Sequence, residues 1–369
     1  MNAISEIPKI KNLLFSPEEK NILLGITLAK TQGVFLELEP ELHETTHQYL
    51  FSGNEDQVHQ AIHLARILET YSKFAKFINP VIQNICGWSV DFDQLSQEDS
   101  DEYWVEFLTD SHFYASRMYS NPAHDHIKQQ KHFPRIIKKL SHLTHIDLSC
   151  HKITQLPAWI GQLSQLKVLN LYANRIKVLP AALTRLNKLE ALYLHGNSLE
   201  EIPHFLTLLP HLKTLDVSDN GIWVIPNWLP EMESLESLIL FTCWGSSPKL
   251  AIPEEIGQMK NLKLLNVMTH TVDLPYSIGE LSSLEALKVG GGKYPNGIPD
   301  TITQLKNLTH LQLDGVSPEF ILDIAGEFPQ LQTLSFKNIE EEHPTPTQLE
   351  QIKTKVPKDC EVIHAYPGY

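Results

Sequence analysis

The chain has 369 residues, enough for two domains or for one domain joined to an extended array. Hydrophobic residues make up 42% of it, yet no unbroken apolar run reaches the length of a membrane helix, so no membrane insertion is expected. A formal net charge of −14 repels phosphate backbones and argues against nucleic acid as the partner.

The N-terminus, MNAISEIPKIKNLLF, lacks the apolar core of a secretory signal. Just after it, LFSPEEKNILLGITLAK (14–30) aligns without gaps to LFSGNEDQVHQAIHLAR (50–66), a period of 36 residues. Each copy opens with a capping-box pattern, Ser16 with Glu19 and Ser52 with Glu55, in which the serine oxygen takes an orphan amide and the glutamate reaches back. Pro17 suits a first helical position. Ile22, Ile26 and Leu28, then Val58, Ile62 and Leu64, recur at helical spacing. The pattern predicts helix pairs stacked side by side in an all-α domain over residues 1–132.

Between the copies, His43-Glu44-Thr45-Thr46-His47 fits HExxH and so resembles the zincin metallopeptidase signature. On a helix, histidines four apart share a face and can both bind zinc. The resemblance implies Glu44 as general base on zinc-bound water and Glu69 as a third ligand. Several features depart from the family. Glu41 stands where zincins usually carry an uncharged residue, 42 upstream residues leave little room for a preceding sheet, and Leu50 and Gly53 replace the Gly and His of the longer metzincin motif. The other reading is a solvated helix face whose apolar side uses Leu42, Tyr49 and Leu50. In a chain with 18 histidines a chance match is unsurprising. No metal or cofactor is therefore expected, and a zinc peptidase using His43 and His47 stands as the alternative.

Residues 77–119 are rich in aromatics (Trp88, Phe92, Tyr103, Trp104, Phe107, Phe113, Tyr114), expected to pack a core and in part to cover the first turn of the array that begins near Phe133. His124, His126 and His132 occupy a linker with no cysteine partner. The basic run KQQKHFPRIIKK (128–139) reads as a solvated helix.

From Phe133 to about Ile339 the chain repeats every 23 residues. LSQLKVLNLYANRIKVLP, LNKLEALYLHGNSLEEIP and LPHLKTLDVSDNGIWVIP align Leu166, Leu189 and Leu212, then Leu169, Leu192 and Leu215, then Leu171, Leu194 and Val217, and close on Pro180, Pro203 and Pro226. This LxxLxLxxNxLxxLP pattern is identified as that of the leucine-rich repeat family. The resemblance implies an α/β solenoid, a horseshoe with a parallel concave sheet, because no unit of this size buries its own leucines. It also implies that Asn174, Asn197 and Asn220 bond backbone groups of neighbouring turns. Their column continues with His151, Cys243, His270, Gly292, Val316 and Ile339, so the last two turns are expected to be less regular. About nine strands are expected, centred on Asp147, Asn170, Tyr193, Asp216, Ile239, Asn266, Lys288, Gln312 and Ser335, with short helical turns after each proline. Longer units at FTCWGSSPKLAIP and GGGKYPNGIP predict bulging loops, and Gly290 to Lys293 lacks the Walker pattern. Residues 340–369 should cap the array with a helix from about Thr347 and a strand near Cys360 to His364. Cys86, Cys150, Cys243 and Cys360 lie far apart, unlike the clustered cysteines of secreted members, which suits a cytoplasmic, bacterial-like protein. The copies at 14–30 and 50–66 resemble helical segments that precede the repeats in some bacterial members.

In this family the concave sheet is the usual partner surface; nine strands roughly 4.8 Å apart make a face about 38 Å across, suited to a protein partner. Tyr172, Tyr193, His195, Ile239, Phe241 and Met268 gather there, rimmed by Asp216 and Asn266, with Trp244 extending the edge. Aromatic and Met side chains dominate interface hot spots. The expectation is a non-enzymatic scaffold that binds a protein partner on this face.

Overall fold

The computed structural model describes residues 7–14, 16, 19–31, 35–67, 112–114, 131–242, 249–269, 271–290, 294, 297–337 and 344–364. Two compact units are present: residues 1–151 with 162–166, and residues 152–161 with 167–369.

Among the described residues of the first unit, four helices form two hairpins: α1 (Ile7–Leu14) with α2 (Glu19–Thr31), and α3 (Phe35–Leu50) with α4 (Glu55–Ile67). Helices α2 and α4 start one 36-residue period apart. Ile10, Leu14, Ile22, Ile26, Ala29, Leu38, Leu42 and Leu64 form one buried cluster. Each large apolar side chain there contributes roughly 1.5–3 kcal/mol against exposure. Val58 and Ile62, at helical spacing on α4, are also buried.

The second helix cap differs from the sequence pattern. Ser52 Oγ donates to the Tyr49 carbonyl (2.9 Å) and accepts from the Asn54 N–H (3.1 Å). Asn54 Oδ1 accepts from the Gln57 N–H (3.0 Å), so Asn54, not Ser52, is the N-cap of α4. The cause is Gly53, whose φ of 74° is left-handed; a helix can begin only beyond such a residue. A Cβ at Gly53 would stand 2.3 Å from His142 Cγ, and Lys139 Nζ lies 4.6 Å from the Phe51 ring centre. The α3–α4 turn thus rests on the first half-repeat. There the basic run forms a 3-10 turn, Arg135–Lys139, burying Ile136 and Ile137, rather than a longer helix. Strand β1 (His112–Tyr114) pairs in parallel with β2 (His145–Asp147). The side chains of Phe113 and Tyr114, and the residues Trp88, Phe92, Tyr103, Trp104 and Phe107, lie outside the described residues, as do Glu69, His124 and His126.

The second unit holds β3 (Val168–Asn170), β4 (Ala191–Tyr193), β5 (Thr214–Asp216), β6 (Ser237–Ile239), β7 (Leu250–Ala251), β8 (Leu264–Val267), β9 (Val272–Asp273), β10 (Ala286–Val289), β11 (His310–Asp314), β12 (Thr333–Lys337) and β13 (Glu361–His364). One parallel sheet runs β3-β4-β5-β6-β8-β10-β11-β12-β13. Its register places Leu169, Leu192, Leu215, Leu238, Leu265, Leu287, Leu311, Leu334 and Val362 side by side. The leucines are buried, so this column is the spine of the core. After the prolines come 3-10 turns such as Ala181–Arg185 and His204–Leu208.

The asparagine column ties the turns together. Asn220 Nδ2 donates to the carbonyls of Leu194, Val217 and Ser218 (2.9, 3.0 and 3.0 Å), while its Oδ1 accepts from the Leu199 N–H at 2.9 Å. Asn174 and Asn197 make corresponding bonds, to Leu171 and Ile153 and to Leu171, Leu194 and Ile176. The residue before each asparagine is left-handed: Ala173 (φ 52°), Gly196 (68°) and Asp219 (45°). Val316, in the same column, is buried, and α5 (Pro318–Ile324), capped by Ser317, replaces the 3-10 turn that comes after other strands. Cys243, His270, Gly292 and Ile339 lie outside the described residues. Helix α6 (Pro346–Lys355) carries a Thr345–Gln348 capping box and leads into β13, the expected final strand. A second small ribbon pairs β7 with β9, and Val224 bridges to Ala251 beside it.

A column of charges accompanies the leucines. Lys167, Glu190, Lys213, Glu236, Lys263 and Glu285 come directly after the first leucine of six successive units. Lys167–Glu190 and Lys213–Glu236 approach to 3.4 Å, and Lys263–Glu236 to 2.8 Å. The two lysines hold the Glu236 carboxyl below its ordinary range, chiefly through the Lys263 hydrogen bond. The result is a charge ladder of alternating sign along one margin of the sheet. Among the described residues no helix is long and apolar enough to cross a membrane.

Candidate functional site

The strand residues opposite the leucine spine form the sheet's concave face. Their direction is fixed at each strand end by a short polar side chain. Asn170 Oδ1 accepts from the Tyr172 N–H (3.1 Å), Asp216 Oδ1 from the Ser218 N–H (3.0 Å) and Asn266 Oδ1 from the Met268 N–H (3.3 Å). These are Asx turns, in which the side chain satisfies a backbone amide two residues on. Asp216 and Asn266 therefore also help to present the residues just beyond them.

Backbone bonds continue past the strands, from the N–H groups of Ala173, Gly196 and Asp219 to the carbonyls of His195, Ser218 and Phe241 (2.8, 2.9 and 2.7 Å). They hold the next column in step. In it the Tyr172 and His195 rings lie 4.7 Å apart at 32°, and the His195 and Phe241 rings 5.6 Å apart at 32°. Centroid spacings of this size give tilted, attractive ring packing. His195 reaches Phe241 because Ser218, just past the end of β5 between them, is small and fully buried; Ser218 Oγ accepts from the Phe241 N–H at 3.1 Å. His195 Nε2 stands 3.4 Å from Asp219 Oδ2, with side chains 18% and 14% exposed. Asp219 was not anticipated as part of this group. It occupies the left-handed column, where an acidic residue is tolerated and can lean toward the neighbouring turn.

Tyr193, Ile239, Asn266 and Met268 share the face and are half-buried, as are Tyr172, His195, Asp216 and Phe241. Trp244 lies outside the described residues. From 170 to 268 the two outward columns contain Asp216 but no Lys or Arg; Lys288 and Lys337 come later. Near that later end, the Tyr294 hydroxyl donates to the Asp314 carbonyl (2.5 Å) and Gln312 Nε2 to Asp314 Oδ2 (3.2 Å). Burial raises the pKa of both Asp314 and Tyr294. Gly290 is required beside them, since its φ is 129° and a Cβ would sit 2.3 Å from the Asp314 carbonyl oxygen.

The HETTH segment does lie on a helix, α3. Leu42 and Leu50 are buried, as is Thr46, whose hydroxyl donates to the Leu42 carbonyl at 2.7 Å. Glu44 is exposed and accepts from Gln48 Nε2 (3.3 Å), while Glu41 pairs with Lys11. The side chains of His43 and His47 lie outside the described ones. Among the described residues no three His, Cys, Asp or Glu gather as metal ligands would.

The profile of the leucine-rich repeat region matches residues 124–198 and 160–272. No curated protein sequence matches significantly. Among solved structures, the chain is similar to the plant peptide hormone receptor RGFR1 in complex with RGF2, at 18% identity over 63% of this chain, TM-score 0.45. It spans 41% of that receptor chain. It is also similar to a leucine-rich repeat protein of Leptospira interrogans (22% identity, 64% of this chain and 82% of that one, TM-score 0.27). A further similar structure is internalin C2 of Listeria monocytogenes (18%, 62% and 83%, TM-score 0.42).

Proposed function

We propose that this chain, which belongs to the leucine-rich repeat family, is a non-enzymatic scaffold that docks a protein partner on its concave sheet. The observation that carries the reading is the continuous row of Tyr172, His195 and Phe241, half-buried and backed by a rigid hydrogen-bonded sheet. Tyr193, Ile239 and Met268 widen the apolar centre, and Asp216 and Asn266 supply its polar rim, the arrangement of a hot spot within a wetter border. On this reading residues 1–132 are a helical module, 133–339 the repeat array and 340–369 its cap. The partner is protein rather than nucleic acid, and the setting is cytoplasmic.

The test is affinity capture from lysate with the native chain and with a triple variant, Tyr172→Glu, Tyr193→Glu and Phe241→Glu, shown by circular dichroism to be folded. Loss of the captured partner in the variant supports the concave site. Equal capture by both moves the site elsewhere on the molecule. Zinc quantitation on untagged protein addresses the peptidase alternative: stoichiometric metal, lost in His43→Ala, would replace the scaffold reading.

A further inference from the structure

The ladder asparagines differ in the residue that comes next: Arg175 after Asn174, Ser198 after Asn197, and Gly221 after Asn220. We infer that Asn220-Gly221 is a site of covalent self-modification, kept shut by the closed array and exposed when the array opens. A glycine nitrogen has no neighbouring side chain to hinder its approach to the amide before it. Once it loses its proton, the Gly221 nitrogen attacks Asn220 Cγ. The Cγ–Nδ2 bond breaks, ammonia leaves and a cyclic imide forms. Water then opens the ring at either carbonyl, giving aspartate or isoaspartate, in which the main chain is one carbon longer.

In the closed array both reacting groups are held on the preceding turn. The Gly221 N–H donates to the Leu199 carbonyl at 2.7 Å, and the Leu199 N–H donates to Asn220 Oδ1 at 2.9 Å. Nδ2, the leaving group, donates to the carbonyls of Leu194, Val217 and Ser218. Turning Cγ toward the Gly221 nitrogen breaks these bonds together, at a buried residue, so attack requires the turn to open first. The same contact explains the glycine: a Cβ at Gly221 would come 3.1 Å from the Leu199 carbonyl oxygen. The residue that lets the turn close tightly is therefore the one that leaves it most reactive when open.

The product does not fit the old place. A carboxylate donates to none of the three carbonyls, and it brings a charge into a site where burial is costly. A chain modified here cannot close this turn as before, so opening becomes chemically irreversible.

The test incubates the full chain in mildly alkaline buffer, folded and in denaturing urea, beside a synthetic peptide of residues 214–227. Peptide mapping by mass spectrometry separates conversion at Asn220 from any at Asn296-Gly297, the chain's other Asn-Gly pair. In urea, Asn220 should convert at the rate of the peptide and well ahead of Asn174 and Asn197. In the folded chain it should convert more than about tenfold more slowly, because the open turn is the rarer state. Asn220→Asp, which is the direct product, should unfold at a lower urea concentration than the native chain or fail to fold. Conversion in the folded chain as fast as in the peptide would overturn the inference. So would equal conversion of Asn174, Asn197 and Asn220 in urea, or an Asn220→Asp chain with the native urea midpoint.

Discussion

At the scale of single residues, some polar side chains of the array serve the backbone and others carry a charge that burial penalises. Asn220 is wholly of the first kind: it satisfies three carbonyls and one amide and is buried. Asn220→Ala should destabilise the chain by about 2–3 kcal/mol, since buried backbone groups lose their partner. Denaturant unfolding measures this; a loss below about 0.5 kcal/mol would mean that the ladder contributes little. Asp314 tests the opposite case, a charge that burial penalises. Its pKa is raised in the fold, so below the ordinary carboxylate range both states are protonated and nothing is lost. As pH rises through that range and up to the folded value, the unfolded state ionises first and stability falls. Asp314→Asn should therefore be more stable than the native chain at pH 7, with the gain vanishing in acid. Thermal melts across pH check it; a gain that persists below the carboxylate range would point to packing instead.

Elements show which sequence signals were sufficient. The 23-residue leucine pattern placed the strands because register and burial act on the same column, from Leu169 to Leu334. The 36-residue period likewise marks the starts of α2 and α4. The α4 cap was misread because Ser52 and Asn54 are both competent caps, and only the left-handed Gly53 decides between them. Asn54→Ala should cost about 1 kcal/mol of stability through the lost cap. Ser52→Ala, which removes the bonds to the Tyr49 carbonyl and from the Asn54 N–H but leaves the α4 cap in place, should cost less; equal losses would restore Ser52 as cap. The β7–β9 ribbon had no signal, because its two-residue strands are too short to show alternation. Helix α5 opens on Ser317 as its cap with Pro318 at the first helical position.

For the whole molecule, the candidate site was legible as columns but not as contacts. Spacing put Tyr172, His195 and Phe241 on one face; it could not show that a buried Ser218 lets His195 span the intervening strand, or that Asp219 stands beside its ring. Those facts depend on side-chain reach across neighbouring turns, which periodicity does not encode. The Lys167-to-Glu285 ladder was missed for a related reason, since a column read for hydrophobicity does not reveal alternating sign.

That ladder gives the array a parity. Every unit offers the same leucine interface, so by packing alone one repeat could be excised as readily as two. Charge distinguishes them. Removing residues 190–212, one 23-residue period, would set Lys167 beside Lys213, and the next junctions would keep their order. Removing residues 190–235, two periods, would set Lys167 beside Glu236 and restore the pairing. The shorter deletion should melt lower than the longer one at low salt, and the gap should close near 1 M salt, where surface charges are screened beyond about 3 Å. If units are gained and lost in such an array, this margin favours doing so in twos.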